Sequence, residues 1–143
     1  MDTPRELVTV ELLGRLVAGA GVASVLAGAA TWLTIRSQLV AEKIEIPASA
    51  SLLPGRRVTG PITAFAQADA IRRIALAATG GRVYGELDED DPLAEMAMNA
   101  SLLRASLFTS IVAFGIAAAE AALGAVMLAI GTALFRIGRR LAD

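Results

Sequence analysis

The chain has 143 residues, 55% of them hydrophobic and 19% charged, with a formal net charge of −1 and a mean hydropathy of +0.61. A soluble domain is about 45–50% apolar and about 25% charged, so these values exclude an ordinary soluble globular domain, a disordered chain and a basic nucleic-acid binder. The absence of cysteine and histidine excludes a disulfide framework, a thiol nucleophile, an imidazole base, a zinc site of the usual N/S type and the common haem ligands, so no metal or cofactor is expected.

In chain order, residues 1–15 read as a short mixed-charge terminus. Leu16 to Ile35, LVAGAGVASVLAGAATWLTI, carries no charge. As a helix it is about 30 Å long, the thickness of a hydrocarbon core. Arg15 and Arg36 bracket it, and Trp32 stands near one end, where an indole suits the interface. A cleaved signal peptide is the competing reading. The start carries Asp2, Glu6 and Glu11 against Arg5 and Arg15, and the apolar run exceeds a usual signal core, so an uncleaved span is expected.

Residues 36–104 form one connecting segment. Lys43-Ile44-Glu45-Ile46 alternates like a strand and stops at Pro47, and Arg56 to Thr59 reads as a second short strand after the Pro54-Gly55 turn. Gly60-Pro61 opens a helix over about 61–79 that Gly80-Gly81 closes. Ala64, Ala68, Ile71, Ala75 and Ala78 share one face of it, and Asp69 can pair with Arg73. That face is expected to pack on the following helix around Leu93, Met96, Leu103 and Leu107. The acidic run Glu86 to Asp91 lacks the register of an EF-hand and reads as charge at a helix start. Gly80-Gly81 stands in no phosphate-loop pattern, and Asn99-Ala100-Ser101 matches a glycosylation sequon too close to the membrane to be used.

Asp91-Pro92 reads as a cap and first turn, so one helix is expected from about Pro92 to Arg139. Within it, residues 105–135 hold a single charge, Glu120, and form the second span; residues 136–143 are the closing terminus. Arg5, Arg15, Arg136, Arg139 and Arg140 outweigh Arg36, Lys43 and Arg104 near the span ends. Both termini are therefore expected in the cytoplasm, in a multi-pass protein of the plasma membrane. The fold expected is mainly α and integral to the membrane: an antiparallel two-helix transmembrane hairpin with a small extracytoplasmic cap, helical with short β pieces, between the spans.

Two features invite partners. Ala20, Ser24, Gly28 and Thr31 make a small-residue stripe on the first span. Ala117, Ala121 and Ala125 make one on the second, with Gly124 and Gly131 on another. In lipid such stripes drive helix association through close packing. They can join the two spans to each other, to further copies or to other membrane subunits. Glu120 is costly inside a bilayer. It can pair with a partner's cation, carry protons, or be satisfied as a protonated acid by Thr31 or Thr34. Membrane lipid is the expected surrounding, and no nucleic acid is.

Thr59 to Ile71, TGPITAFAQADAI, Thr79 to Pro92, TGGRVYGELDEDDP, and Asn99 to Ile116, NASLLRASLFTSIVAFGI, resemble a group of small two-span membrane proteins from actinobacteria, many labelled "aromatic ring-opening dioxygenase". The resemblance covers about residues 20–135 and implies the two-span architecture. Extradiol cleavage uses a non-haem iron held by two His and a carboxylate. This chain has no His, so no catalytic residue carries over. The expectation is a non-enzymatic accessory or assembly subunit of a larger envelope or respiratory membrane complex. The alternatives are a membrane-bound sensor taking a small ligand between helix 61–79 and the long helix, and the dioxygenase of the label.

Overall fold

The computed structural model describes the backbone of residues 3–142 and the side chains of residues 8–141. Arg5, one of the residues weighed for orientation, has its side chain outside the described residues, as do Asp2 and Glu6. The described chain is mainly helical: α1 spans Thr3–Ala41, α2 Pro61–Ala78 and α3 Ala94–Ala142, with a 3-10 turn at Tyr84–Glu86. α1 and α3 are long and apolar enough to cross a membrane. Their 39 and 49 residues correspond to about 58 and 73 Å, well beyond the ~30 Å of a hydrocarbon core.

α1 runs past both ends of its uncharged stretch. Its flanks are rich in Glu, Leu, Val, Arg and Gln, with Pro4 in the first turn, where proline is tolerated, and a single glycine, Gly14; the Arg15–Glu11 ion pair at 2.7 Å adds support. The helix stops where Lys43 takes a left-handed conformation, φ 52°, and returns its N–H to the Val40 carbonyl at 3.2 Å.

The chain divides into two compact units, Met1–Leu33 with Gly115–Asp143, and Thr34–Phe114. In the first, every buried described residue is glycine or alanine: Gly14, Gly21 and Gly28 on α1, and Ala117, Gly124, Gly131 and Gly138 on α3. Each set repeats every seven residues. A methyl group at Gly14 would lie 2.5 Å from the Phe135 nitrogen, one at Gly21 2.5 Å from that of Leu128, and one at Gly28 2.6 Å from the Ala117 carbonyl oxygen. Rising numbers on α1 meet falling numbers on α3, so the two segments run antiparallel within this unit. Many large side chains point away: Leu16, Leu26, Leu33, Ile116 and Leu123 are all at least 60% exposed, while Trp32, Leu128 and Phe135 are half-buried.

The second unit has an ordinary, small-residue core. Leu39, Ile46, Val58, Leu107 and Phe114 are buried with Ala64, Ala66, Ala68, Ala70, Ala94 and Ala97. The two expected β pieces make one isolated antiparallel bridge, Glu45 to Arg57, and no strand forms among the described residues. Ile46 N–H donates to the Arg56 carbonyl at 2.9 Å and Val58 N–H to that of Ile44 at 2.9 Å. Pro47 and the Gly55 turn leave too few residues on either side to extend the ladder. Burial of Ile46 and Val58, both 1% exposed, anchors the bridge to the core.

α2 matches the expected helix to within one residue. At its start the Thr63 hydroxyl accepts N–H bonds from Thr59 at 2.9 Å and Gly60 at 3.1 Å. At its end Gly80 and Gly81 have φ of 65° and 91°, and the Gly81 N–H donates to the Leu76 carbonyl at 2.7 Å, a Schellman closure. Asp69 and Arg73 pair at 2.9 Å. Ala64 and Ala68 are buried as expected and Ile71 and Ala75 half-buried, but Ala78 is exposed. Ala66 and Ala70 on the other side are buried as well, so α2 is enclosed from two directions. Phe65 meets Phe108 edge-to-face at 6.3 Å, which places α2 along the first turns of α3. There Leu107 is buried, Leu93 and Met96 are half-buried and Leu103 is largely exposed, while Ala94 and Ala97 provide the close contact.

α3 is capped at Asp91. Its carboxylate accepts the Leu93 N–H at 2.9 Å, and its carbonyl accepts that of Ala94 at 2.9 Å. The first turn is tight, so regular helix starts at Ala94 rather than Pro92.

Candidate functional site

The seam of the first unit is the most ordered small-residue feature of the molecule. Of the residues expected to form contacts, Gly28, Ala117 and Gly124 are buried in it, and Ser24, Ala121 and Glu120 are half-buried. A methyl at Gly124 would stand 2.9 Å from Ser24 Cβ, and one at Gly28 3.0 Å from Ala121 Cβ. Ala20, Thr31 and Ala125 lie outside the seam and are exposed. Gly14, Gly21 and Gly138 belong to the seam, and their stripe was not singled out from the sequence. The signal was present as a seven-residue glycine spacing, which competes with the four-residue spacing of Ala20, Ser24 and Gly28. A period of seven is that of two helices in left-handed supercoiled contact.

Glu120 forms no hydrogen bond or ion pair with another described residue, so the satisfying bond expected from the first span is not made. At the other end of this unit, the guanidinium groups of Arg15 and Arg139 lie 5.1 and 5.8 Å from the Phe135 ring centre. Arg136 and Arg140 complete an exposed basic cluster there.

Two of the recesses within the second unit are lined by a residue with an unpaired buried polar atom. The first, about 390 Å³, is lined by apolar Leu39, Ile44, Ile71, Leu103 and Leu107, with Gln67 and Ser106 among the polar groups. The Gln67 side-chain oxygen is buried with no hydrogen-bond donor. The second, about 60 Å³, lies between α2 and α3 and is lined by Arg72, Arg82, Tyr84, Ser101 and Arg104. Here the Arg104 Nε is buried with no acceptor. An unpaired buried polar group costs about 1–3 kcal/mol, and both orphans belong to residues that line a recess.

The 3-10 turn is built to hold Tyr84 at the second recess. Glu86 accepts the Val83 N–H at 2.8 Å, and Arg82 is tied to Asp91 at 3.1 Å and to the Thr79 carbonyl at 3.3 Å. Thr79, 3% exposed, donates its hydroxyl proton to the Arg82 carbonyl at 2.5 Å. Among the described residues no three acidic side chains gather as a metal site, the Glu86 to Asp91 run included.

Comparison with known protein families, curated proteins and solved structures finds no match. The functional argument therefore rests on the residues themselves.

Proposed function

We propose that this protein is a non-enzymatic, two-span membrane protein that serves as an accessory or assembly subunit of a larger membrane complex. The observation that carries the reading is the inverted distribution of side-chain size in the first unit. Among the described residues only Gly and Ala are fully buried between the helices, and the bulky apolar residues are half-buried beside the seam or exposed. A water-soluble helical pair does the reverse, because burial of large apolar surface is its driving force. In lipid the outward Leu and Ile are solvated by acyl chains, and close backbone contact holds the helices. Only 11% of the α1 window and 17% of the α3 window is buried, which also argues against either being the core helix of a soluble domain.

In this reading α1 and α3 form a transmembrane hairpin with both termini cytoplasmic, and residues 36–104 form an extracytoplasmic segment. The basic cluster at Arg136, Arg139 and Arg140 fits the cytoplasmic side. The resemblance to small actinobacterial two-span proteins adds the plasma membrane as the location. A subunit role is supported by Glu120, half-buried and without a hydrogen-bond or ion-pair partner among the described residues, since an intramembrane carboxylate calls for a cation or donor from elsewhere. The dioxygenase label finds no support in the residues, for want of an iron ligand set.

The test is affinity purification of the tagged chain in mild detergent, followed by native mass spectrometry. A stoichiometric complex with a larger membrane protein is expected, and Glu120→Gln is expected to keep the fold and weaken that complex. Recovery of a bare monomer, with the Gln variant identical to wild type, would overturn the subunit reading. A second reading, a sensor of a small ligand, is favoured by the 390 Å³ recess and its orphaned Gln67 oxygen. An apolar molecule with one hydrogen-bond donor fits that chemistry.

A further inference from the structure

Two of the three arginines of the smaller recess have no counter-charge among the described residues. Arg82 is neutralised by Asp91 at 3.1 Å. Arg72 and Arg104 have no acidic partner among the described residues. Arg104 stands 6.0 Å from the Phe108 ring centre, and its Nε is buried without an acceptor. Three arginines from α2, the Thr79–Tyr84 turn and α3 thus line one crevice, with two positive charges unbalanced among the described residues. The Tyr84 and Ser101 hydroxyls are at hand as further donors.

We infer that this crevice is a binding site for a phosphoryl oxyanion, a free phosphate or the phosphate of a lipid headgroup. Its volume is about 60 Å³. A water-sized group needs about 10–15 Å³ by this measure, so the space accommodates about four to six such groups, enough for a phosphate. Guanidinium forks match phosphate oxygens in pairs; the two unbalanced charges are matched in full by the dianion of free phosphate and in part by the single charge of a headgroup phosphodiester. Arg82, fixed by Asp91 and by the Thr79 carbonyl, keeps the third fork in place without adding net charge. This inference goes beyond both readings above and requires only that residues 34–114 keep their fold.

The test uses the full chain in a neutral detergent. Inorganic phosphate is titrated by calorimetry at constant ionic strength set with chloride, and retention of phosphatidylglycerol over phosphatidylcholine is read by native mass spectrometry. Saturable phosphate binding is expected for a free-anion site. Phosphatidylglycerol retention alone is expected for a headgroup site. In either case Arg104→Gln and Arg72→Gln weaken binding at least tenfold. Arg72 is exposed on α2, so its variant keeps the fold even where Arg104→Gln does not. Neither ligand binding above the chloride control, or an Arg72→Gln protein binding as wild type, overturns the proposal.

Discussion

One methyl group separates contact from clash along the seam. At Gly131 an added Cβ would fall on the Ala18 backbone nitrogen, and at Gly21 it would lie 2.5 Å from that of Leu128. These neighbours are main chain and cannot rotate away. Gly21→Ala and Gly131→Ala are each expected to destabilise the first unit by about 1–3 kcal/mol through overpacking, read as a lowered unfolding midpoint in detergent. Gly19 has nothing within 4 Å of the same position. There the only effect is relief of glycine's backbone entropy, so Gly19→Ala should stabilise by about 0.5–1 kcal/mol. Equal effects at positions 19 and 21 would contradict the close approach. Lys43 offers a further residue-scale case, with φ 52° on a residue that has a Cβ. Lys43→Gly removes a conformational cost of about 1 kcal/mol and is expected to raise the same midpoint.

Elements were most legible where their ends are chemically marked. Gly60-Pro61, Gly80-Gly81 and Asp91 each carry a cap whose chemistry is local, and the structure uses all three. Thr63→Val deletes the hydroxyl that receives two N–H groups and should cost about 1 kcal/mol, measured as faster amide exchange at Thr59 and Gly60. An unchanged exchange rate would show that the cap does not hold the turn. The β pieces were less legible. Alternation at Lys43 to Ile46 is real, but a ladder needs length on both sides, and Pro47 and the turn at Gly55 stop it at one bridge. The second buried side of α2, Ala66 and Ala70, was hidden because alanines satisfy every face of a helix equally well.

At the scale of the whole molecule, composition already separates two spans from a polar connecting segment. It does not choose which small stripe meets which. Ala20, Ser24 and Gly28 look like a face by four-residue spacing, yet Ala20 is exposed and the contact follows Gly14, Gly21 and Gly28. Only the partner helix decides between the two, and its own seven-residue repeat, from Ala117 to Gly138, matches the second. A ligand site between helix 61–79 and the long helix is legible in the sequence; its lining is not, because Arg72, Arg82 and Arg104 lie apart in the chain and meet through the packing of α2 on α3. The central claim is that this size-inverted helical pair crosses a bilayer with both ends inside. The absence of cysteine makes a direct measurement available, with Ser49→Cys and Leu141→Cys, both exposed, as single labelling sites. A membrane-impermeant maleimide applied to intact cells should label position 49, and should label position 141 only after the membrane is opened. Labelling of position 141 in intact cells, or recovery of the chain in the soluble fraction, would contradict the account.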